Sequence, residues 1–240
     1  MVAVSPQRGG STIEPAHAVG ATVIDGSGRD PGDVDVTIEN GRITRLGTSS
    51  AHRERLDAKG LTMTPGLIGA HVHLGLSSPI QPHFSLQISA AEIAAGIFAT
   101  TGTTLDAGFT TVRDTGGVEG GTVTATAKGK VRGPRVLSCG PVQCQIGGHG
   151  QYEAGSVMAG NADKLRHNVA TELSLRAALE TPMEALVAAP PSGQVGVITP
   201  GAQADLVLWN GNSLKHPELF PDPTKAVLVL RAGQIVKDLR

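Results

Sequence analysis

Aromatic residues are almost missing from this chain: Trp209, Tyr152 and four phenylalanines are all that its 240 residues contain. A core without large rings must be filled by Val, Ile, Leu and Ala, which suits an α/β protein with buried parallel strands. Cysteine is equally scarce. Cys139 and Cys144 cannot make a disulfide framework or a complete zinc set, and they read as small apolar fillers of a strand and its exit. Neither sign of charge prevails, the formal net charge being −1, and no Lys/Arg block occurs. Nothing therefore points to a nucleic-acid partner or an anionic membrane. No apolar run approaches the roughly 20 residues of a membrane span. The opening MVAVSPQRGGST lacks the apolar centre of a secretion signal. The expectation is a soluble, cytoplasmic protein of one or two domains.

What is present falls into three stretches. Residues 1–16 are rich in Gly, Ser and Pro, and from His17 to Gly60 the pattern is β. Val34, Val36 and Ile38 alternate with polar residues, Asn40-Gly41 supplies a two-residue hairpin turn, and Ile43 and Leu46 return. Val195–Arg240 holds further strand-like runs at Val195–Ile198, Ala204–Trp209, Ala226–Leu230 and Gly233–Val236. Between these ends strands and helices alternate, which implies a parallel sheet. Ser89–Leu105 reads as a helix, Phe109–Arg113 and Arg135–Ser138 as short buried strands, and Asn161–Leu179 as a second helix.

The chemistry-bearing motif is His71-Val72-His73. Thr64-Pro65-Gly66 reads as a turn that launches the apolar run Leu67-Ile68 as a strand. Residues two apart on a strand share one face, so both imidazoles point to one place. Neutral imidazole is the commonest protein ligand for a metal ion. The alternative is that one or both are ordinary polar residues at a strand end. Asp114 ends the FTTVR strand and is placed either to hydrogen-bond a ligand histidine or to cap the turn into Thr115-Gly116-Gly117. Lys128, Lys130, Lys164, His167 and His216 lie in polar or helical surroundings and read as surface residues. The pairs Gly116-Gly117 and Gly120-Gly121 lack the context of a phosphate-binding loop.

LTMTPGLIGAHVHLG over residues 61–75 resembles the first barrel strand of the amidohydrolase superfamily. TVIDGSGRDPGDVDVTIENGRITRLG and ITPGAQADLVLWNGN resemble the two halves of that superfamily's small β-sandwich. AGFTTVRDTGG, GPRVLSCG and GGHG narrow the resemblance to its imidazolonepropionase-like and prolidase-like branch, which includes dipeptidases. The resemblance implies an α/β fold: a partial (β/α) barrel of TIM type over residues 65–194. A composite β-sandwich from both chain ends, 1–64 and 195–240, would accompany it. It implies a metal-dependent hydrolase of C–N bonds in an amide, cyclic amide or dipeptide, with a small-molecule substrate and no nucleic acid or membrane partner. His71 and His73 would hold one divalent ion at most, zinc by preference. His149 would contact substrate, and Asp114 would support the metal ligands from behind.

The resemblance also marks what the chain omits. A complete barrel typically takes about 250 residues, and only about 130 lie between the end segments. The bridging lysine, two further metal-binding histidines and the catalytic aspartate of the family have no recognisable counterpart, so the catalytic residue is unknown. Gly69 stands where the family often carries an aspartate that could support the ligands. The isolated chain is thus expected to be impaired. The alternatives are a non-catalytic remnant that binds or oligomerises, a homo-oligomer being one outcome, or an abridged form of a longer enzyme.

Overall fold

The computed structural model describes residues 16–48, 54–76, 89–116, 118, 120–139 and 194–240. In chain order the strands are β1 (Ala16–Val19), β2 (Thr22–Val23), β3 (Gly32–Asp33), β4 (Val36–Glu39), β5 (Arg42–Leu46), β6 (Glu54–Asp57), β7 (Thr62–Pro65) and β8 (Leu67–Val72). Helix α1 (Ala90–Asp106), β9 (Phe109–Asp114), helix α2 (Gly120–Ala127) and β10 (Arg135–Ser138) follow. The last are β11 (Leu206–Trp209), β12 (Ala226–Arg231) and β13 (Gln234–Asp238). They form three sheets, ordered β5-β4-β1-β6, β13-β12-β11-β7-β2-β3 and β10-β9-β8.

The β4–β5 hairpin turns at Asn40 and Gly41, whose φ values of 49° and 71° are the pair of positive angles that a type I′ turn requires. The six-stranded sheet joins both ends of the chain. β11 pairs antiparallel with β7, Leu208 facing Met63, while β7 also pairs with β2. Its side chains alternate between two cores. Leu206, Leu208, Leu228 and Leu230 enter a cluster shared with Val36, Ile38 and Ile43 of the four-stranded sheet. Val207, Trp209 and Val229 point the other way, against Leu67, Leu105, Phe109 and Val112. All four residues of β11 are buried, as a strand between two apolar layers must be.

The third sheet is parallel, built from β8-α1-β9 and β9-α2-β10. Ser89 caps α1, its hydroxyl accepting from the Glu92 N–H at 3.1 Å. Gly108, at φ 91°, ends the helix and lets the backbone pass close to Val207 of β11. A buried carboxylate ties the layers together. Asp205, 2% exposed, accepts from the Ala232 N–H at 2.7 Å and from Arg135 at 2.9 Å. Arg135 also donates to Thr111 and Gln203.

Four sequence expectations need correction. Thr64 and Pro65 close strand β7 rather than forming a turn, and Gly66 alone makes the corner into β8. Val195–Ile198 is not a strand, because Gly196 sits at φ 80° and bends the chain; the Ile198 N–H donates to the Asp25 carbonyl. Cys139 is exposed rather than a buried filler. Helix α2 was unanticipated: its GGTVTATA sequence disfavours a helix, but Thr122 and Thr126 are buried and the Thr126 hydroxyl bonds back to the Thr122 carbonyl. The expected helix Asn161–Leu179, with Lys164 and His167, lies outside the described residues, as do Cys144 and the GGHG loop.

Candidate metal centre

Strand β8 carries an extra residue just before the histidine pair. Gly69 lies opposite Val112 and Val72 opposite Asp114, so three steps on β8 match two on β9. The bulge falls at Ala70-His71, which are exposed, while Gly69 and Val72 on either side are buried. Bulges of this kind re-aim side chains. Here the freed Ala70 carbonyl is taken by Arg113 Nε at 2.7 Å.

The two rings meet edge to face, with centroids 5.0 Å apart and Nε2 atoms 3.1 Å apart. Two nitrogens each about 2.05 Å from one ion, separated by 3.1 Å, subtend about 100° at it, between octahedral and tetrahedral values. The pair therefore fits two ligand positions around a single divalent ion. His73 Nδ1 lies 2.9 Å from the Gly116 carbonyl oxygen. A carbonyl oxygen can only accept, so Nδ1 carries the hydrogen and Nε2 of the neutral ring presents its lone pair. His71 then donates from Nε2 toward His73. For both Nε2 atoms to serve one ion, the His71 proton must move to Nδ1, which its exposure to water permits. The Thr115 hydroxyl lies 3.3 Å from His73 Nε2.

Asp114 is fully buried. Its carboxylate accepts the Leu74 N–H at 2.7 Å and the Gly116 N–H at 3.0 Å. Of the two roles open to it from sequence, the turn-capping one is realised, and its hydrogen bonds run to backbone rather than to an imidazole. Burial pushes its carboxyl above the usual aspartate value, partly opposed by those backbone N–H groups and by His73. Among the described residues no cluster of three or more His, Cys, Asp or Glu side chains could hold a metal. His149 lies outside the described residues. His216 is a surface residue paired with Glu218 at 2.9 Å. Sequence reasoning gave Arg113 no role; the available signal was a long cationic side chain at the end of a β-branched run, and it is the one exposed residue of β9.

At Gly69, where the resemblance implies an aspartate, the space is already occupied. A Cβ there would lie 2.9 Å from Val72 Cγ1 and 3.2 Å from Val112 Cγ1.

Residues 62–178, which begin at β7 and contain the histidine pair, match the model of the amidohydrolase family. That match spans 117 residues, a little under half of the chain. A dihydroorotase from Trichlorobacter lovleyi is 36% identical over 70 residues, covering 28% of this chain and 14% of that protein. This chain thus spans only a small part of that relative. Among solved structures, a prolidase complexed with N-methylphosphonate-L-proline superposes with a TM-score of 0.78 at 17% identity, over 93% of this chain and 99% of the other. The A. niger ochratoxinase gives 0.79 at 14%, over 94% and 96%. A Xaa-Pro dipeptidase with bound methionine gives 0.72 at 13%, over 92% and 99%. At such identities the likeness is one of fold.

Proposed function

We propose that this protein is an amidohydrolase, a metal-dependent hydrolase of C–N bonds in an amide, cyclic amide or dipeptide, of the prolidase-like kind. His71 and His73 hold one divalent ion, zinc in the first instance, and His149 contacts the substrate. The observation that carries this is the 3.1 Å Nε2 separation, with the His73 tautomer set by the Gly116 carbonyl. The prolidase and Xaa-Pro dipeptidase among the structural neighbours support the substrate class. The sheets contributed by both chain ends are read as a composite sandwich, 1–64 with 195–240, and 65–194 as the first part of a barrel.

A divalent ion at this position supplies Lewis acidity toward a scissile carbonyl and makes a nearby water a better nucleophile. The chain's own residues do the rest. Gly116 holds the His73 proton on Nδ1, His71 and His73 converge from one side of β8, and the Thr115 hydroxyl offers a hydrogen bond beside them. Two protein ligands are fewer than the three usual in catalytic zinc sites. Loss of an acid–base group alone typically removes about 10²–10⁴-fold of rate. The isolated chain is therefore expected to retain metal weakly and to hydrolyse little.

The test is to load the protein with zinc or manganese, desalt it, and measure bound metal together with mass in solution. A panel of Xaa-Pro dipeptides and cyclic amides is then assayed. Substoichiometric metal, lowered further by His71→Ala, with turnover near background is the expected result. Metal uptake no greater than that of a His71→Ala/His73→Ala double variant refutes the metal site. Near-stoichiometric metal with turnover abolished by His71→Ala refutes the impairment. A second function, a non-catalytic binding or oligomerising module, is favoured by Leu137 of β10, which is 54% exposed on the face of the parallel sheet that also carries Arg113.

A further inference from the structure

We infer that Arg113 and Asp114, the last two residues of β9, are a positioning pair that sets the two histidines for a divalent ion, each acting through the backbone. The inference rests on the proposed metal role of His71 and His73. Arg113 and Asp114 leave β9 on opposite sides, one exposed and one buried. From the exposed side Arg113 Nε holds the Ala70 carbonyl at 2.7 Å, at the bulge that turns His71 outward. From the buried side Asp114 holds two N–H groups at once. One belongs to Leu74, the residue after His73; the other belongs to Gly116, whose carbonyl fixes His73 Nδ1. A third contact closes the arrangement, for the Thr115 N–H donates to the Val72 carbonyl at 2.9 Å, between the two histidines.

Three backbone groups in and around the His-Val-His segment, the Ala70 and Val72 carbonyls and the Leu74 N–H, are thus tied to the end of β9. Gly116 suits this post because its φ of 152° lies in the region that favours glycine. A carboxylate is needed at Asp114 because two N–H donors converge on it. Asparagine offers one acceptor oxygen and would turn an NH₂ toward the other donor. Groups that orient metal ligands from behind typically change metal affinity by about 10–100-fold when replaced.

The experiment uses the full chain, with wild type, Asp114→Asn, Arg113→Met and Arg113→Lys compared. Histidine ring tautomers are read by long-range ¹H–¹⁵N spectra without metal, and zinc affinity by competition with a chromophoric chelator. Wild-type His73 should be the Nδ1–H tautomer. Asp114→Asn should mix the tautomers of His73, and Arg113→Met, which has no donor for the Ala70 carbonyl, and Asp114→Asn should each weaken zinc by about 10–100-fold. Arg113→Lys, which keeps a donor for that carbonyl, should recover most of the affinity. Arg113→Met leaves the buried core intact and carries the test if Asp114→Asn does not fold. An Nε2–H tautomer for His73 in the wild type overturns the inference, as does Arg113→Met binding zinc like the wild type. If the wild type binds no zinc, the metal role of the histidines fails on its own. The tautomer comparison then decides positioning: a shift in Asp114→Asn upholds it, and an unchanged spectrum overturns it.

Discussion

Replacing Asp205 with alanine should cost about 3 kcal/mol of stability, within the 3–5 kcal/mol typical when one partner of a buried pair is removed. The carboxylate is 2% exposed and accepts from two donors, the Ala232 N–H at 2.7 Å and Arg135 at 2.9 Å. Alanine leaves the Ala232 N–H unpaired at a turn whose own residue sits at φ 49°. It also leaves the Arg135 guanidinium without its counter-charge. The Arg135 side chain is 33% exposed, and Thr111 still accepts from it at 2.7 Å, so water and that hydroxyl recover part of the loss. This places the expected value at the low end of the range. The assay is urea unfolding followed by fluorescence of Trp209, the chain's one tryptophan, which is fully buried edge-on to Phe220 and sits on the strand that follows Asp205. Arg135→Met in the same background removes the orphaned charge, so the double variant should lose less than the sum of the two singles. A loss below about 1 kcal/mol, or strict additivity, would show that the carboxylate is not the clamp described.

Gly69→Asp, which introduces the carboxylate that the resemblance implies, should destabilise by about 1–3 kcal/mol rather than improve metal retention, because Val72 and Val112 already fill that space; thermal melting with and without zinc checks both halves. Stability should also fall in acid. The Asp238 carboxyl is held below the usual value by hydrogen bonds from Arg240, and that of Asp25 is lowered by Ser27 and Arg29 against an opposing effect of burial. Both stabilise the fold above the ordinary aspartate value of 3.8, and their contribution is lost as pH falls through the lower folded values. Asp114 acts in the opposite sense: burial raises its carboxyl, so its contribution is present below 3.8 and is lost as pH rises through the folded value. Urea unfolding at stepped pH should therefore show a shallower acid loss in Asp238→Asn and a steeper one in Asp114→Asn.

Much of this was legible in the sequence where local chemistry is unambiguous. Asn40-Gly41 announced its hairpin because two successive positive φ angles suit few other pairs. Ser89 announced the start of α1, and Arg135–Ser138 was found at its bounds. His71 and His73 were read as converging, and their rings do meet. Helix α2 was not legible, since its threonines and glycines favour it only once Thr122 and Thr126 are buried by the rest of the fold. The Ala70-His71 bulge escaped notice because register is a property of two strands, whereas a pattern of alternation describes one. Arg113 escaped for the same reason: its bond to the Ala70 carbonyl crosses between strands 43 residues apart.

The six-stranded sheet has a consequence for the order in which the protein can fold. β7 is complete by Pro65, yet its neighbour β11 begins at Leu206, and β12 and β13 come later still. Since β11 and β12 supply side chains to both cores, neither core can close while the chain is still being synthesised up to that point. Pairings this distant in sequence make for slow folding. The emerging chain must hold Met63, Ile38, Phe109 and Val112 without their partners until β11 and β12 arrive, a window in which exposed apolar surface favours association with other chains. Truncation anywhere before β12 should leave this state permanent, so that losing a few C-terminal strands removes both cores together.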